Sequence, residues 1–211
     1  MDRGEVFADR ADAGRRLAAL LRDRRLGDTV VGGIPRGGVV VAAEVAAALG
    51  APLRAVVARK VGAPGHAELA MGAVGPDGVS VIDETLARRV GATERYLDQA
   101  VAAARAEVDA RLAALPGVLG REEAAGRTVV VVDDGVATGA TAAAVGRWLA
   151  TTEAASRLLA LPVGPPETLH ALRADYDDVV AVQTPAFFVA VGQWYRDFRQ
   201  VTDDEVARLL S

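Results

Sequence analysis

The chain has 211 residues, a formal net charge of -4, 51% apolar residues and no cysteine. That length suits one α/β domain with extensions. Without cysteine there is no disulfide, thiolate nucleophile or thiolate metal site, and the acidic balance argues against generic nucleic-acid binding.

Positions 8–25 read as an amphipathic helix, with Ala13, Leu17, Leu20 and Leu21 on one face and arginines opposite. It is expected to be a packing helix within an N-terminal segment 1–27. The start of the chain is polar, without the apolar core of a signal peptide, and no apolar run is long enough to cross a bilayer. A cytoplasmic protein with no membrane or nucleic-acid partner is expected. Thr29 to Ile34 is the first strand. It ends in Gly33-Ile34-Pro35-Arg36-Gly37-Gly38, and a helix over Val39 to Leu49 closes on Gly50 as a left-handed cap. Two glycines let backbone approach a ligand, and Arg36 can grip phosphate oxygens with two donors. Many strand-to-helix turns carry glycines, so this signal is weak alone.

Leu53 to Arg59 reads as the second strand, with Lys60 at its end. Lys60 is the only lysine among 24 Lys and Arg residues. In a chain biased towards arginine, a lone lysine marks a place where a compact ammonium and a planar guanidinium are not equivalent. The glycine-rich stretch 61–75 has little periodicity and reads as a long loop. His66 within it reads as a solvated loop side chain in preference to an acid. Ala73 to Ile82, turning at Pro76-Asp77-Gly78, has the pattern of a small hairpin whose second arm supplies an antiparallel edge strand. Asp83 to Val90 is a short helix ended by Gly91. Thr93 caps a long one over Glu94 to Leu115, and Gly120 to Gly126 is a polar connector.

Val129-Val130-Val131-Val132 is too apolar for a one-sided strand and predicts a central parallel strand buried on both faces. It stops at Asp133-Asp134. The residues Gly135-Val136-Ala137-Thr138-Gly139-Ala140-Thr141 then lead into an Ala-rich helix. Backbone N–H groups of such a loop converge on one spot, and the helix dipole adds positive potential there. A phosphate suits Ala137 to Thr141, with hydroxyl donors from Thr138 and Thr141. The carboxylates of Asp133 and Asp134 only accept, so they suit sugar hydroxyls beside it. A ribose 5′-phosphate satisfies both halves. A Walker B strand or a receiver-domain pocket also ends in acids. The first needs a G-x-x-x-x-G-K-[ST] loop that is absent here, and receiver pairs usually come early in their domain.

Val129 to Thr141 resembles the phosphoribosyl-pyrophosphate motif of the type I phosphoribosyltransferases: four apolar residues, an acidic pair and a Thr-Gly-x-Thr loop. One departure is Ala137, where many members carry threonine. The resemblance implies an α/β fold: a doubly wound, mostly parallel sheet with one antiparallel edge strand, helices on both faces and a C-terminal hood. It implies a core over 28–184 with a mobile loop at 61–75, and a hood and tail helix over 185–211. By that resemblance Gly135, Val136, Ala137, Thr138, Gly139, Ala140 and Thr141 hold the 5′-phosphate. Pro35, Arg36, Gly37, Gly38, Arg59 and Lys60 face the pyrophosphate, and the Pro35–Arg36 peptide is expected to be cis. Asp133, Asp134, Lys60 and Arg36 form the expected catalytic set. Mg²⁺ is the implied cofactor, held mainly by substrate and water, with no protein ligand assigned. A homodimer is the expected state.

A strand over Arg157 to Val163, a helix over Pro166 to Ala174 and a strand over Val179 to Gln183 complete the alternation. Aromatic residues make up 4% of the chain, yet Phe187, Phe188, Trp194, Tyr195 and Phe198 crowd together. Some must anchor the tail, and an aromatic face also holds a flat base. The stretch Phe187-Phe188-Val189-Ala190-Val191-Gly192 loosely resembles the hood of hypoxanthine-type enzymes. Phe187 or Phe188 is then the base contact, with core packing equally open for each. Thr202-Asp203-Asp204-Glu205 is a capping box opening the last helix. The expected activity is transfer of phosphoribose from phosphoribosyl pyrophosphate to a nitrogenous, purine-like base, releasing pyrophosphate through an oxocarbenium-like transition state. Its rivals are a non-catalytic sensor of the same ligand and a pyrophosphohydrolase. The short segment before the first strand leaves no room for a winged helix, which counts against the sensor.

Overall fold

A computed structural model describes residues 6–211 of the chain. The strands are β1 (Thr29–Gly33), β2 (Leu53–Ala55), β3 (Arg59–Ala63), β4 (His66–Val74), β5 (Ser80–Ile82), β6 (Thr128–Val132), β7 (Ser156–Val163) and β8 (Asp178–Gln183). The α-helices are α1 (Arg10–Leu21), α2 (Gly37–Leu49), α3 (Glu84–Arg89), α4 (Glu94–Ala114), α5 (Arg121–Ala124), α6 (Ala140–Leu149), α7 (Pro166–Leu172) and α8 (Asp203–Leu210). A five-stranded sheet runs β2-β1-β6-β7-β8, parallel throughout.

The valine run explains why β6 is central. Val130 and Val132 face α1 and α2, packing with Leu17, Leu21, Val41 and Val45. Val129 and Val131 face the other way, onto Val145, Trp148 and Leu149 of α6. All four valines are fully buried. The helices after β1 and β6 thus lie on opposite faces of the sheet.

Four details depart from the sequence reading. The second strand stops at Ala55 instead of Arg59, because its partner β1 ends at Gly33: Val56 N–H donates to the Gly33 carbonyl in the last bond of that ladder. The stretch read as a loop at 61–75 is strand over most of its length. It forms an antiparallel hairpin of β3 and β4, and β5 completes a three-stranded sheet of its own. Those antiparallel arms do not edge the main sheet. The outer side of β2 is already covered by residues 117–119, through Ala55 N–H to the Gly117 carbonyl and Leu119 N–H to the Ala55 carbonyl. The small sheet instead builds a separate core of Val57, Val61, Met71 and Val74 against Ala104 and Val108 of α4. Leu20, assigned to the buried face of α1, is 47% exposed, while Ala13, Leu17 and Leu21 are buried.

The first described residues meet the segment after β8. Phe7 N–H donates to the Trp194 carbonyl and Arg196 N–H to the Phe7 carbonyl. The capping box is present at α8, with Glu205 N–H on the Thr202 hydroxyl at 3.1 Å and Thr202 N–H on the Glu205 carboxylate at 2.9 Å. Val206 and Leu210 of α8 pack on Val39 of α2 and Ala55 of β2. The tail therefore crosses the carboxyl end of the main sheet before docking on its far side.

Candidate functional site

The turns after β1 and β6 are neighbours because their strands pair from Thr29 with Thr128 to Gly33 with Val132. They touch with no side chain from the first turn between them. A Cβ on Gly37 would lie 1.9 Å from the Asp134 Oδ2 atom, and one on Gly38 would lie 2.8 Å from the Asp133 Cα. Glycine is demanded at these two positions by lack of space. The Pro35–Arg36 peptide is cis, as expected. Gly139, which precedes α6, adopts φ 75°, a left-handed conformation that suits glycine.

The acidic pair is largely buried, with the Asp134 side chain 17% exposed. Burial, and then the neighbouring Asp134 charge, push the Asp133 carboxyl well above the usual carboxylate range. Burial also raises Asp134, against the opposing pull of Arg10. Arg10 begins α1 and was not singled out from the sequence. Its Nε donates to Asp134 Oδ2 at 2.8 Å, and its Nη1 donates to the Arg199 carbonyl at 2.8 Å. Its guanidinium lies 3.9 Å from the centre of the Phe198 ring. The Tyr195 hydroxyl donates to the Asp134 carbonyl, and burial raises that phenol so that it keeps its proton. One arginine thus joins the first helix, the acidic pair and the tail.

Around this pair lies a cleft of about 490 Å³. Pro35, Arg36, Gly37, Arg59, Lys60, Asp133, Asp134 and Thr141 line it, so both predicted turns and the lone lysine open into one space. Arg10, Arg111, Phe198 and Arg199 line it as well. Six cationic side chains therefore surround two carboxylates, a balance suited to a polyanion with a hydroxylated centre. Lys60 sits on β3, opposite Ala73, and not at the end of the main-sheet strand.

The loop after the acidic pair is fastened from two sides. Val136 N–H donates to the Val163 carbonyl at 3.0 Å, which occupies one amide of the expected phosphate cradle. Thr168 of α7 donates to the Ala137 carbonyl at 2.8 Å. The first amides of α6 have no partners within the helix and remain the natural anion donors. Phe187 and Phe188 are not among the residues lining the cleft. Phe187 is 86% exposed. Phe188 stacks on Trp194, with ring centres 6.4 Å apart. Among the described residues, no group of three or more His, Cys, Asp or Glu side chains is placed to hold a metal ion. None of the described helices is long and apolar enough to cross a membrane.

The family model of the phosphoribosyl transferase domain matches residues 4–199. Two Mycobacterium tuberculosis proteins, from strains CDC 1551 / Oshkosh and H37Rv, carry a provisional phosphoribosyl transferase name. Each is 42% identical over 98% of this chain. The chain spans 46% of the length of these relatives. The crystal structure of TT1426 from Thermus thermophilus superposes with a TM-score of 0.78, at 42% identity over 97% of each chain. A purine phosphoribosyltransferase from Pyrococcus horikoshii shares the fold, with a TM-score of 0.50 and 18% identity over 92% of each chain. The chain belongs to the phosphoribosyl transferase domain family.

Proposed function

We propose that this chain transfers phosphoribose from phosphoribosyl pyrophosphate to a nitrogenous base of purine-like shape, with release of pyrophosphate. The observation that carries the reading is the bare contact of Gly37 and Gly38 with Asp133 and Asp134. It supports a reading in which the first turn takes a diphosphate, the acidic pair a sugar and the start of α6 a phosphate around one cleft. The amides and hydroxyls of Thr138 to Thr141 take the 5′-phosphate, and Asp133 and Asp134 take the ribose hydroxyls. Arg36, Arg59 and Lys60 take the diphosphate, with the backbone of Pro35 to Gly38 beside them. The acceptor approaches from the tail segment bearing Phe187 and Phe188. That segment abuts the loop, since a Cβ on Gly135 would lie 2.7 Å from Val191 Cγ1.

Magnesium fits this donor set. Two carboxylates are too few for an all-protein cage, and a hard ion that keeps its waters takes its remaining oxygens from a diphosphate. When bound, the ion neutralises diphosphate charge. The chain's own part is positional and electrostatic. The acidic pair orients the ribose and favours positive charge developing at its anomeric carbon.

Calorimetry with phosphoribosyl pyrophosphate, with and without Mg²⁺, tests the reading. Binding that depends on Mg²⁺ is expected, and Asp133→Asn and Asp134→Asn should each weaken it at least about tenfold, or ~1.4 kcal/mol. No heat at millimolar donor would sink the assignment. Asp133→Asn should also stabilise the fold at neutral pH. Its folded-state carboxyl titrates above the unfolded value, so the native state holds the proton more tightly. Stability contributed by this group is present below the unfolded value and is lost as pH rises through the folded one. Asparagine removes that loss. Melting temperatures of the variant and the parent should converge in acid and separate as pH rises.

Lys60→Arg keeps the charge but replaces a compact ammonium by a wide fork. Turnover should fall at least about tenfold, or ~1.4 kcal/mol of transition-state stabilisation, with the melt unchanged because the side chain lines an open cleft. Wild-type turnover in this variant would reduce the lone lysine to an accident of composition.

A further inference from the structure

The cleft at the acidic pair does not end at its arginines. A second cavity of about 580 Å³ opens between α4, α8 and the residues following β2. Arg36, Arg59 and Arg111 line both spaces, so the two cavities adjoin at three arginines. The second cavity has an apolar floor that includes the buried Val57 and Val108. Beyond the three arginines, its charged lining is acidic, from Glu107, Asp203 and Asp204.

We propose that the two cavities form one bipartite site for a ribosyl group linked through a diphosphate to a nucleoside. The diphosphate lies at the three arginines, the ribosyl group at Asp133 and Asp134, and the nucleoside between α4 and α8. This rests on the reading of the first cleft as a phosphoribosyl site. The chemistry of the second cavity matches that half of the ligand group by group. Planar guanidinium forks suit diphosphate oxygens. Carboxylates accept and do not donate, which suits the hydroxyls of a second ribose. An apolar floor suits the face of a base, and both volumes fall in the roughly 300–1,000 Å³ range of small-molecule sites.

The state of the arginines fits this use. Arg59 is turned onto Glu107 at 2.7 Å and Arg111 onto Asp203 at 2.7 Å, in pairs that are largely open to water. Exposed pairs of this kind hold weakly. A diphosphate arriving between the cavities offers both arginines a bidentate partner and releases Glu107 and Asp203 for sugar hydroxyls. Phosphoribosyl pyrophosphate alone would fill the first cleft up to the shared arginines and leave the second cavity without an occupant.

Isothermal calorimetry on the full chain, with Mg²⁺ present, separates the possibilities. The probes are phosphoribosyl pyrophosphate, inorganic pyrophosphate, ADP and ADP-ribose. Two variants fill the second cavity from opposite walls, Ala114→Trp on α4 and Ala207→Trp on α8; Ala114 is exposed, so the larger side chain is compatible with folding there. ADP-ribose should bind at least tenfold tighter than pyrophosphate and displace phosphoribosyl pyrophosphate. ADP should fall between pyrophosphate and ADP-ribose. In a folded tryptophan variant the advantage of ADP-ribose should vanish while phosphoribosyl pyrophosphate keeps its affinity within twofold. ADP-ribose binding no tighter than pyrophosphate overturns the bipartite site, and so does undiminished ADP-ribose affinity in both variants. In either case a normal response to phosphoribosyl pyrophosphate leaves the first cleft's assignment standing. Failure of the unaltered chain to bind phosphoribosyl pyrophosphate overturns that assignment, and the bipartite site with it.

Discussion

Gly37→Ala is expected to eliminate measurable binding of phosphoribosyl pyrophosphate. The added methyl would lie 1.9 Å from Asp134 Oδ2 and 2.6 Å from Arg10 Nε. Neither atom can yield cheaply, because each is the other's partner in a 2.8 Å ion pair. Either the turn retreats from the acidic pair or the pair opens, and both outcomes spoil the geometry of the cleft. Overpacking of this kind costs about 1–3 kcal/mol. In a chain of this length each kcal/mol lowers the melting temperature by roughly 2–4 °C. Donor affinity should fall at least about a hundredfold, or ~2.7 kcal/mol. Gly50→Ala is the control. Its φ is 63° and nothing lies within 4 Å of an added Cβ. That variant should lose about 1–2 kcal/mol of stability from the left-handed backbone alone and bind donor normally. Equal donor affinity in the two variants would show that the contact between the turns does not matter to the site.

The central strand, its acidic end and the two glycine-bearing turns beside it were legible because each depends on a local pattern. A run of four valines has no exposed face, and glycines beside Arg36 announce a close approach of backbone. The small sheet was not legible. Its strands carry Gly62 and Gly72 and its first turn Gly65, which read as loop residues. Yet a Cβ on Gly72 would lie 2.1 Å from the Val81 carbonyl, so that glycine serves a tight strand pairing. The pairing of Arg10 with Asp134 spans 124 residues, and no local pattern encodes such a distance. One signal was available. Arg10 stands three residues before Ala13 and seven before Leu17, on the stripe that α1 buries. An arginine on a buried stripe needs an acidic partner, and Asp133-Asp134 was the acidic pair already singled out. The roles of Phe187 and Phe188 were the least legible, because aromatic anchors and base contacts share one composition.

Arg10→Met is expected to be the most destabilising single change at the site. The Arg10 and Asp134 side chains are only 10% and 17% exposed, so the substitution leaves a carboxylate in a poorly hydrated place. Breaking a buried pair from one side costs about 3–5 kcal/mol. Asp134 can recover part of this by taking a proton, since burial already raises its carboxyl and Arg10 is what opposes that rise. The loss should therefore lie near the lower bound, at about 3 kcal/mol. The hydrogen bond to the Arg199 carbonyl and the contact with Phe198 go with it. Asp134→Asn in the same chain removes the stranded charge. The double variant should be more stable than Arg10→Met alone, with a coupling of at least about 1 kcal/mol between the two positions. Phe198→Leu combined with Arg10→Met tests the tail contact in the same way, with a smaller coupling of roughly 0.5–1 kcal/mol. Urea unfolding of the single and double variants, read by tryptophan fluorescence because Trp194 lies in the tail cluster with Tyr195, gives each value. Additive losses for Arg10 and Asp134 would mean that the guanidinium serves the tail alone and that the acidic pair stands without it.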